Sequence, residues 1–284
     1  MTKGIDHIVL AVNSLQEGAG HWEQLGFRVT PTARHPWGTE NRLVQLDGSF
    51  LEVLAIGEGA ELSEPSDGVF SFGAFNRDFL LKGEGASMFV LDSTNAADDR
   101  KAYNAAGLPA YAPFSFERIA VTPEGEERPV AFDLTFTTDP LSTEIGFFTC
   151  HNKFPENFWK AEYQSHPNTV SALSDVVFVA DDPADHHEFL KAFIGERTAR
   201  LSSLGIEIVT ARGTVKVLSP SAYESLYGIR APSGRSGLKL AALGFKADEP
   251  EKFGTHALAL GGQKHGDFWL VEPDRMAGVA VFCS

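Results

Sequence analysis

The sequence predicts an α+β fold in which βαβββ modules repeat and pair into two domains, the second of them degenerate. Three observations support this prediction: a strand, a helix and three strands follow one another, glycine ends the first three helices, and the whole order recurs. The 284 residues are enough for one large domain or two ordinary ones. A curved four-stranded sheet leaves a concave face open, so two modules together enclose a cleft.

The first module is predicted from its caps and turns. An opening strand rich in branched residues covers residues 4–12. Ser14 and Glu17 form a capping box that begins a helix, and Gly26 ends that helix. Three strands complete the module, the last two joined by a turn at 47–48, and they cover residues 27–30, 42–46 and 49–56.

Three further copies follow. Asn95 caps the helix of the second copy, and Pro183 begins that of the third. The strands of the second copy are predicted at 86–91, 114–120, 130–136 and 144–150, with a polar hairpin turn at 125–128. Those of the third are predicted at 175–180, 206–211 and 214–218. The fourth copy is poorer, with a short helix near 249–253 and strands at 238–245, 255–260, 268–271 and 279–282.

The copies divide the chain into a first domain at residues 1–152, a connector at 153–167 and a second domain at 168–284. Hydrophobic residues make up 43% and charged residues 22%, which is ordinary for a globular protein. The net charge of −14 argues against nucleic acid and anionic membranes as partners, and it disfavours an anionic substrate unless the pocket is locally basic. Two cysteines and no membrane span fit a cytoplasmic protein. The sequence is compatible with a homodimer.

His7 and Glu52 are the most informative residues, because each interrupts a strand that otherwise reads as buried. By strand alternation His7 shares a face with Val9, and Glu52 shares a face with Phe50 and Leu54. A carboxylate among apolar neighbours is costly without a partner, and an imidazole beside it suits a divalent metal. The alternative is a His hydrogen-bonded at a strand edge and a Glu paired with an Arg.

Other polar side chains are candidates for substrate binding. The loop at 35–42 contains His35, Trp37, Asn41 and Arg42, and Arg42 offers a carboxylate two parallel hydrogen bonds. Alternatively the loop is a turn whose Trp37 fills a core edge. The aromatic run at 70–79 either packs between modules or walls an apolar pocket in which Asn76 and Arg77 orient a ligand. His166 in the connector is either a structural residue or a catalytic acid or base.

The module order, with His on the first strand and Glu on the fourth, resembles the vicinal oxygen chelate (VOC) superfamily of glyoxalases, extradiol dioxygenases and fosfomycin and bleomycin resistance proteins. The runs HPWGTENR at 35–42, FLE at 50–52, FF at 147–148 and YQSHPN at 163–168 are similar to bacterial glyoxalase-like domain proteins. The resemblance covers essentially the whole chain. It implies two paired glyoxalase-like domains with a small-molecule site in the cup of the first.

In that superfamily each of two paired modules supplies metal ligands from its first and last strands. The resemblance implies His7 and Glu52 as ligands from the first module, with Glu52 also a catalytic proton shuttle. The second module departs from the pattern, since Ser87 and Met88 replace its His, and Phe147 and Phe148 replace its Glu. Third donors are then expected among His151, His166 and Glu144. The sequence does not distinguish Zn, Ni, Mn, Fe and Mg.

Two functions from different classes follow. One is a metal-dependent lyase, isomerase or dioxygenase-like enzyme acting on a small oxygen-rich organic compound. The other is a metal-free binding or sequestration protein of the bleomycin-resistance type, in which Phe147 and Phe148 contact an aromatic ligand. The 22 Phe residues of the chain favour an apolar cleft in either case.

Overall fold

A computed structural model describes residues 2–121 and 126–284, except for the side chains of residues 120 and 121. The first sheet contains eight strands: β1 (Ile5–Ala11), β2 (Ala33–Arg34), β3 (Thr39–Gln45), β4 (Phe50–Ile56), β5 (Gly85–Asp92), β6 (Phe114–Val121), β7 (Glu127–Thr137) and β8 (Gly146–Asn152). Their order across the sheet is β2-β3-β4-β1-β5-β8-β7-β6. β1 is parallel to β4 and antiparallel to β5, and β5 is parallel to β8.

The second sheet repeats this arrangement with shorter outer strands. It contains β9 (Val170–Val179), β10 (Arg200–Ser202), β11 (Gly205–Val209), β12 (Thr214–Leu218), β13 (Lys239–Ala247), β14 (Gln263–His265), β15 (Phe268–Val271) and β16 (Ala280–Cys283). The order is β10-β11-β12-β9-β13-β16-β15-β14, which corresponds strand for strand to the first sheet. The paired-module α+β fold is therefore confirmed. In the second half β11, β12, β14, β15 and β16 are shorter than their counterparts in the first half, whereas the central strands β9 and β13 are longer.

Eight α-helices connect the strands: α1 (Leu15–Gln24), α2 (Phe72–Leu80), α3 (Ala96–Ala105), α4 (Pro155–Phe158), α5 (Ala161–Gln164), α6 (His187–Ile194), α7 (Pro220–Tyr227) and α8 (Pro250–Ala259). The predicted caps are present, since Ser14 Oγ accepts the Glu17 N–H and Asn95 Oδ1 accepts the N–H groups of Ala97 and Asp98. Across the described ranges, no helix combines the length and apolar character of a membrane span.

Two predicted strands are wrong. Residues 27–30 are not a strand: the Thr30 N–H donates to Leu43 O at 2.9 Å, but the return bond from the Leu43 N–H goes to the Thr30 hydroxyl at 2.8 Å, and the Thr30 carbonyl accepts from Arg42 Nε instead. Residues 255–260 lie mostly in α8, where Pro250 stands at the first turn and Phe253 and Ala257 are buried one helical turn apart. The predicted turn at 125–128 begins at Gly125, outside the described residues.

The two faces of the first sheet have different roles. Ile8 and Leu10 of β1 belong to a large hydrophobic cluster that continues through Phe89 into Val176 and Phe178 of the second sheet. His7 and Val9 point to the opposite face, which we call the first cup and which carries a separate cluster with Phe148. Because the two halves share the larger cluster, their division at 152 and 168 stays a prediction.

Candidate active site in the first cup

A small cavity of about 50 Å³ lies in the first cup. The candidate functional side chains on its wall are those of His7, His35, Asn41, Glu52 and Arg118. Most of the remaining wall is aromatic or aliphatic, formed by Trp37, Leu43, Phe50, Phe72, Phe116, Phe132, Leu134, Phe148 and Phe158. A cavity of this size holds a few water molecules, so only a small part of an organic ligand fits inside it.

Asp6 fixes the orientation of His7. The His7 Nδ1 lies 2.6 Å from Asp6 Oδ2, and an imidazole facing a carboxylate at this distance donates its Nδ1–H. Nε2 is therefore the nitrogen whose lone pair faces the cup, 3.8 Å from Glu52 Oε2. The ring also stacks on Phe50 with centroids 4.3 Å apart, which restrains its plane. This carboxylate–imidazole arrangement is typical of metal-binding histidines.

Glu52 is buried, and its two oxygens have different neighbours. The Asn41 amide donates to Oε1, and His35 Nε2 lies 3.6 Å from the same oxygen. Oε2 faces His7 instead. Asn41 on β3 pairs with Leu54 on β4, and Glu52 lies two residues before Leu54 on the same strand. The side chains of Asn41 and Glu52 therefore lie on the same face of the sheet.

His35 is a neutral imidazole at neutral pH. Burial lowers its pKa to about 4, and Arg118 and His7 add to the lowering, while Glu52 opposes it. Its Nδ1 is hydrogen-bonded to Thr39 Oγ1 at 2.8 Å, and its ring stacks on Trp37. Nε2 is thus held toward Glu52.

Several residues predicted as substrate contacts lie outside the cavity. Arg42 alternates with Asn41 on β3 and points the other way, where it bonds Thr30 O and Glu23. Phe147 likewise alternates with Phe148 and packs in the shared core against Phe189 and Phe193. We therefore do not place Arg42 and Phe147 in the candidate site, since strand alternation turns the side chains of their neighbours Asn41 and Phe148 toward the cup.

The predicted residues of α2 and the connector are also occupied elsewhere. Asn76 is fully buried, bonding Phe72 O and Ser87. Arg77 is on the surface in an ion pair with Glu64. His166 uses both ring nitrogens on backbone groups, accepting the Arg28 N–H at 3.0 Å and donating to Gln45 O at 2.8 Å. These bonds explain the three positions structurally, and we leave all three out of the candidate site.

The third metal donors expected from the sequence do not line the cavity. His151 lies near Asp133, and Glu144 bonds Lys82 and Ser236. Cys150 does line it, and burial raises the pKa of its thiol well above the ordinary value, which makes it a packed thiol. Within the described ranges, no group of three or more His, Cys, Asp or Glu side chains is arranged to hold a metal ion.

Sequence reasoning missed Asp6 and Arg118. Arg118 follows Phe114 and Phe116 at alternate positions of β6, so the same alternation that identified His7 would have placed it in the cup. Burial lowers the pKa of this guanidinium, while nearby Glu52 raises it. The indole N–H of Trp37 is buried without a hydrogen-bond partner among the described residues, which leaves a donor at the cavity wall for a ligand oxygen.

Solved structures share this fold at low sequence identity. A hypothetical protein from Staphylococcus aureus aligns over 99% of both chains with a TM-score of 0.70 and 11% identity. A 4-hydroxymandelate synthase mutant from Streptomyces coelicolor aligns over 99% of this chain and 92% of its own, with a TM-score of 0.57 and 11% identity. The Mn(II)-bound glyoxalase from Novosphingobium aromaticivorans aligns over 99% of this chain and 81% of its own, with a TM-score of 0.52 and 12% identity. At these identities the likeness shows the fold alone.

The family is shown by sequence. No curated protein matches the chain significantly. The family model described as a glyoxalase-like domain matches residues 5–194, two thirds of the chain, and that match includes all the polar side chains of the cavity. The chain therefore belongs to the glyoxalase-like domain family.

Proposed function

We propose that this protein is a metal-dependent enzyme of the glyoxalase type, acting on a small oxygen-rich organic compound in the first cup. The observation that carries the proposal is the contact of Asp6 with His7, which leaves Nε2 of His7 free and turned toward Glu52. Glyoxalase and dioxygenase-type enzymes are built on the same fold, and one of them is a Mn(II)-bound glyoxalase. Both facts support a divalent ion here.

The donor types fit such an ion. Two imidazole nitrogens and a carboxylate oxygen suit divalent first-row metals. Two ligands of one ion at bond lengths of about 2.1 Å lie about 3.0 to 3.4 Å apart. The separations here, 3.8 Å from His7 and 3.6 Å from His35 to Glu52, exceed that range by a few tenths of an ångström. The two histidines also face different oxygens of Glu52, so the three side chains do not form a ready three-donor group, and binding requires a movement that brings them together.

In this proposal His7, His35 and Glu52 hold the ion. The ion would supply Lewis acidity that polarises adjacent oxygens of the substrate. Asp6 holds the His7 tautomer, and Asn41 holds Oε1 of Glu52. The Glu52 carboxylate would also take and return a substrate proton, and the aromatic wall excludes water from that transfer. The reaction class is left to be established by substrate screening.

Metal analysis of protein purified without chelators and without an affinity-tag metal tests this proposal. We expect near-stoichiometric metal in the wild type and much less in His7→Ala. Asp175→Ala is the matched control, because Asp175 occupies the corresponding place in the second sheet and this variant should keep its metal. Equal and negligible metal in the wild type and His7→Ala would contradict the proposal.

A second candidate function is metal-free binding of an aromatic compound. It is favoured by Met88 and Phe148, which face the cup at the second module's positions and are poor ligands for hard divalent ions. On this alternative Phe148 contacts the ligand, and Phe148→Ala weakens binding. A thermal-shift ligand screen run with and without EDTA separates the two, because stabilisation that disappears on chelation requires the metal.

A further inference from the structure

An open groove adjoins the cavity of the first cup. Its volume is about 630 Å³, and it shares Asn41, Leu43, Arg118 and Phe158 with the cavity wall. A groove of this size accommodates an ordinary small-molecule ligand, whereas the cavity of about 50 Å³ does not. A ligand whose reacting end is in the cavity must therefore extend past Arg118 into the groove.

The groove is basic in an acidic protein. Its described lining contains Arg34, Arg118 and Lys160 and no Asp or Glu. The chain as a whole carries a net charge of −14, so this lining differs in sign from most of the surface. A local concentration of positive charge with apolar walls attracts small anions and raises their local concentration. The charge of the groove thus favours an anionic ligand.

Arg118 and Arg34 differ in their partners. Arg34 already has hydrogen-bond partners, because it donates to Glu40 at 2.9 Å and to the backbone carbonyl of Glu58 at 2.9 Å. Among the residues that the structure describes, the Arg118 guanidinium has neither a hydrogen bond nor an ion pair, although it is partly buried, and Glu52 acts on its charge only from beyond ion-pair distance. Burying a cation without a partner costs free energy. Such a residue is typical of a binding site that waits for an anion.

We propose that Arg118 binds the carboxylate of the substrate, and that the substrate of the first cup is a small organic carboxylate lying in the groove. This inference rests on the proposed function and names its substrate class. The planar guanidinium offers a carboxylate two parallel hydrogen bonds. A phosphate monoester carries a charge of about −1.5 to −2, which exceeds the single charge of the Arg118 guanidinium, and Arg34 is already paired. A carboxylate therefore fits this site better.

The test compares charged and uncharged probes of equal shape. Benzoate and phenylacetate, with benzamide and phenylacetamide as neutral counterparts, are titrated by calorimetry and thermal shift. We expect the carboxylates to bind more tightly than the amides and to weaken as salt is added. Arg118→Gln should weaken carboxylate binding roughly 10- to 100-fold, the loss expected for a charge-assisted hydrogen-bonded pair, and leave the amides unchanged.

Two variants control for non-specific effects. Arg34→Gln removes a charge from the same groove but from a paired residue, so we expect a much smaller loss. Arg118→Lys keeps the charge and should retain part of the binding. Equal binding of carboxylates and amides, no carboxylate binding up to the solubility limit, or equal losses in Arg34→Gln and Arg118→Gln would each overturn the inference. The probe comparison needs only the wild type, so it holds even if a variant does not fold.

Metal content separates this inference from the proposed function. Arg118→Gln should keep the metal content of the wild type, because its guanidinium is not among the proposed ligands. A wild type that lacks metal but binds carboxylates through Arg118 would overturn the metalloenzyme and leave the carboxylate site standing. A metal-loaded wild type that does not distinguish carboxylates from amides would do the reverse.

Discussion

In the first sheet His7 and Glu52 stand on two parallel strands, and in the second sheet Asp175 and Lys216 stand in the same two places. The pairing establishes the correspondence: Val9 is opposite Glu52 as Val177 is opposite Lys216. His7 also pairs with Val90 as Asp175 pairs with Gly244. The second sheet therefore provides an internal control for the first.

The two pairs behave differently. Asp175 and Lys216 form a direct ion pair at 2.6 Å, so each charge is neutralised by the other. Among the residues that the structure describes, Glu52 has no cation within ion-pair distance except the imidazoles of His7 and His35, and these are charged only when protonated. On the same face of the second sheet, Tyr223 and Tyr227 of α7 belong to a hydrophobic cluster with Phe282. The same scaffold thus supports a self-neutralised ion pair in one half and an open donor set in the other.

Transferring the second pair into the first cup should give the largest effect. In a His7→Asp, Glu52→Lys double variant we expect metal affinity to fall at least about 100-fold, because two of the three proposed ligands are lost and even outer-shell losses cost 10- to 100-fold. Lys also supplies a cation that satisfies the new carboxylate. Metal content and the chelator sensitivity of thermal unfolding measure the change, with circular dichroism as the folding control. Retained metal would contradict the assignment.

The next comparison uses the two neighbouring phenylalanines of β8. Phe147→Ala should lower the free energy of unfolding by about 3 to 5 kcal/mol, because it leaves a hole in the core shared by both sheets. Phe148→Ala opens onto the cavity and should cost less stability while changing ligand binding. Denaturant unfolding and the benzoate titration measure the two effects. A larger loss of binding in Phe147→Ala than in Phe148→Ala would overturn the assignment of their faces.

The ion pair of the second sheet should have a smaller effect. Lys216→Ala leaves Asp175 without its partner, and we expect a loss of about 1 kcal/mol because both side chains keep some solvent contact. Asp175→Ala in the same background should cost little more, and a double-mutant cycle isolates the coupling. Neither variant should alter metal content. A change in bound metal would show that the halves do not act separately.

The sequence predicted what depends on local periodicity and turn chemistry. Helix caps at Ser14 and Asn95 and strand alternation around His7 and Glu52 are short-range features, and they led to the fold and to the centre of the cup. The recurrence of the module order, supported by the family resemblance, predicted the pairing of modules, which no single local pattern contains. That pairing decides which strand faces meet.

The remaining features of the site depended on which face of its strand each residue occupies and on contacts between residues distant in the sequence. Arg42 and Phe147 were predicted from their residue types. A shift of one residue along a strand reverses the face, so Arg42 and Phe147 point away from the cup and their neighbours Asn41 and Phe148 face it. α7 was not predicted, although Pro220 and the buried Tyr223 and Tyr227 are signals for it. The position of His35 beside Glu52 follows from the packing of Trp37 against Phe72, which is not a sequence pattern.

His166 should give the smallest effect, and it concerns stability alone. Burial lowers its pKa from 6.5, and protonating Nδ1 would also destroy its bond from the Arg28 N–H. Below pH 6.5 the unfolded chain therefore binds a proton that the folded chain does not, so the stability contributed by this residue falls as the pH falls through that range. His166→Gln should flatten the decline in denaturant midpoint, whereas the partly exposed His187→Gln should leave it unchanged. Metal content should be the same in both variants, and a loss of metal in His166→Gln would instead make His166 part of the site.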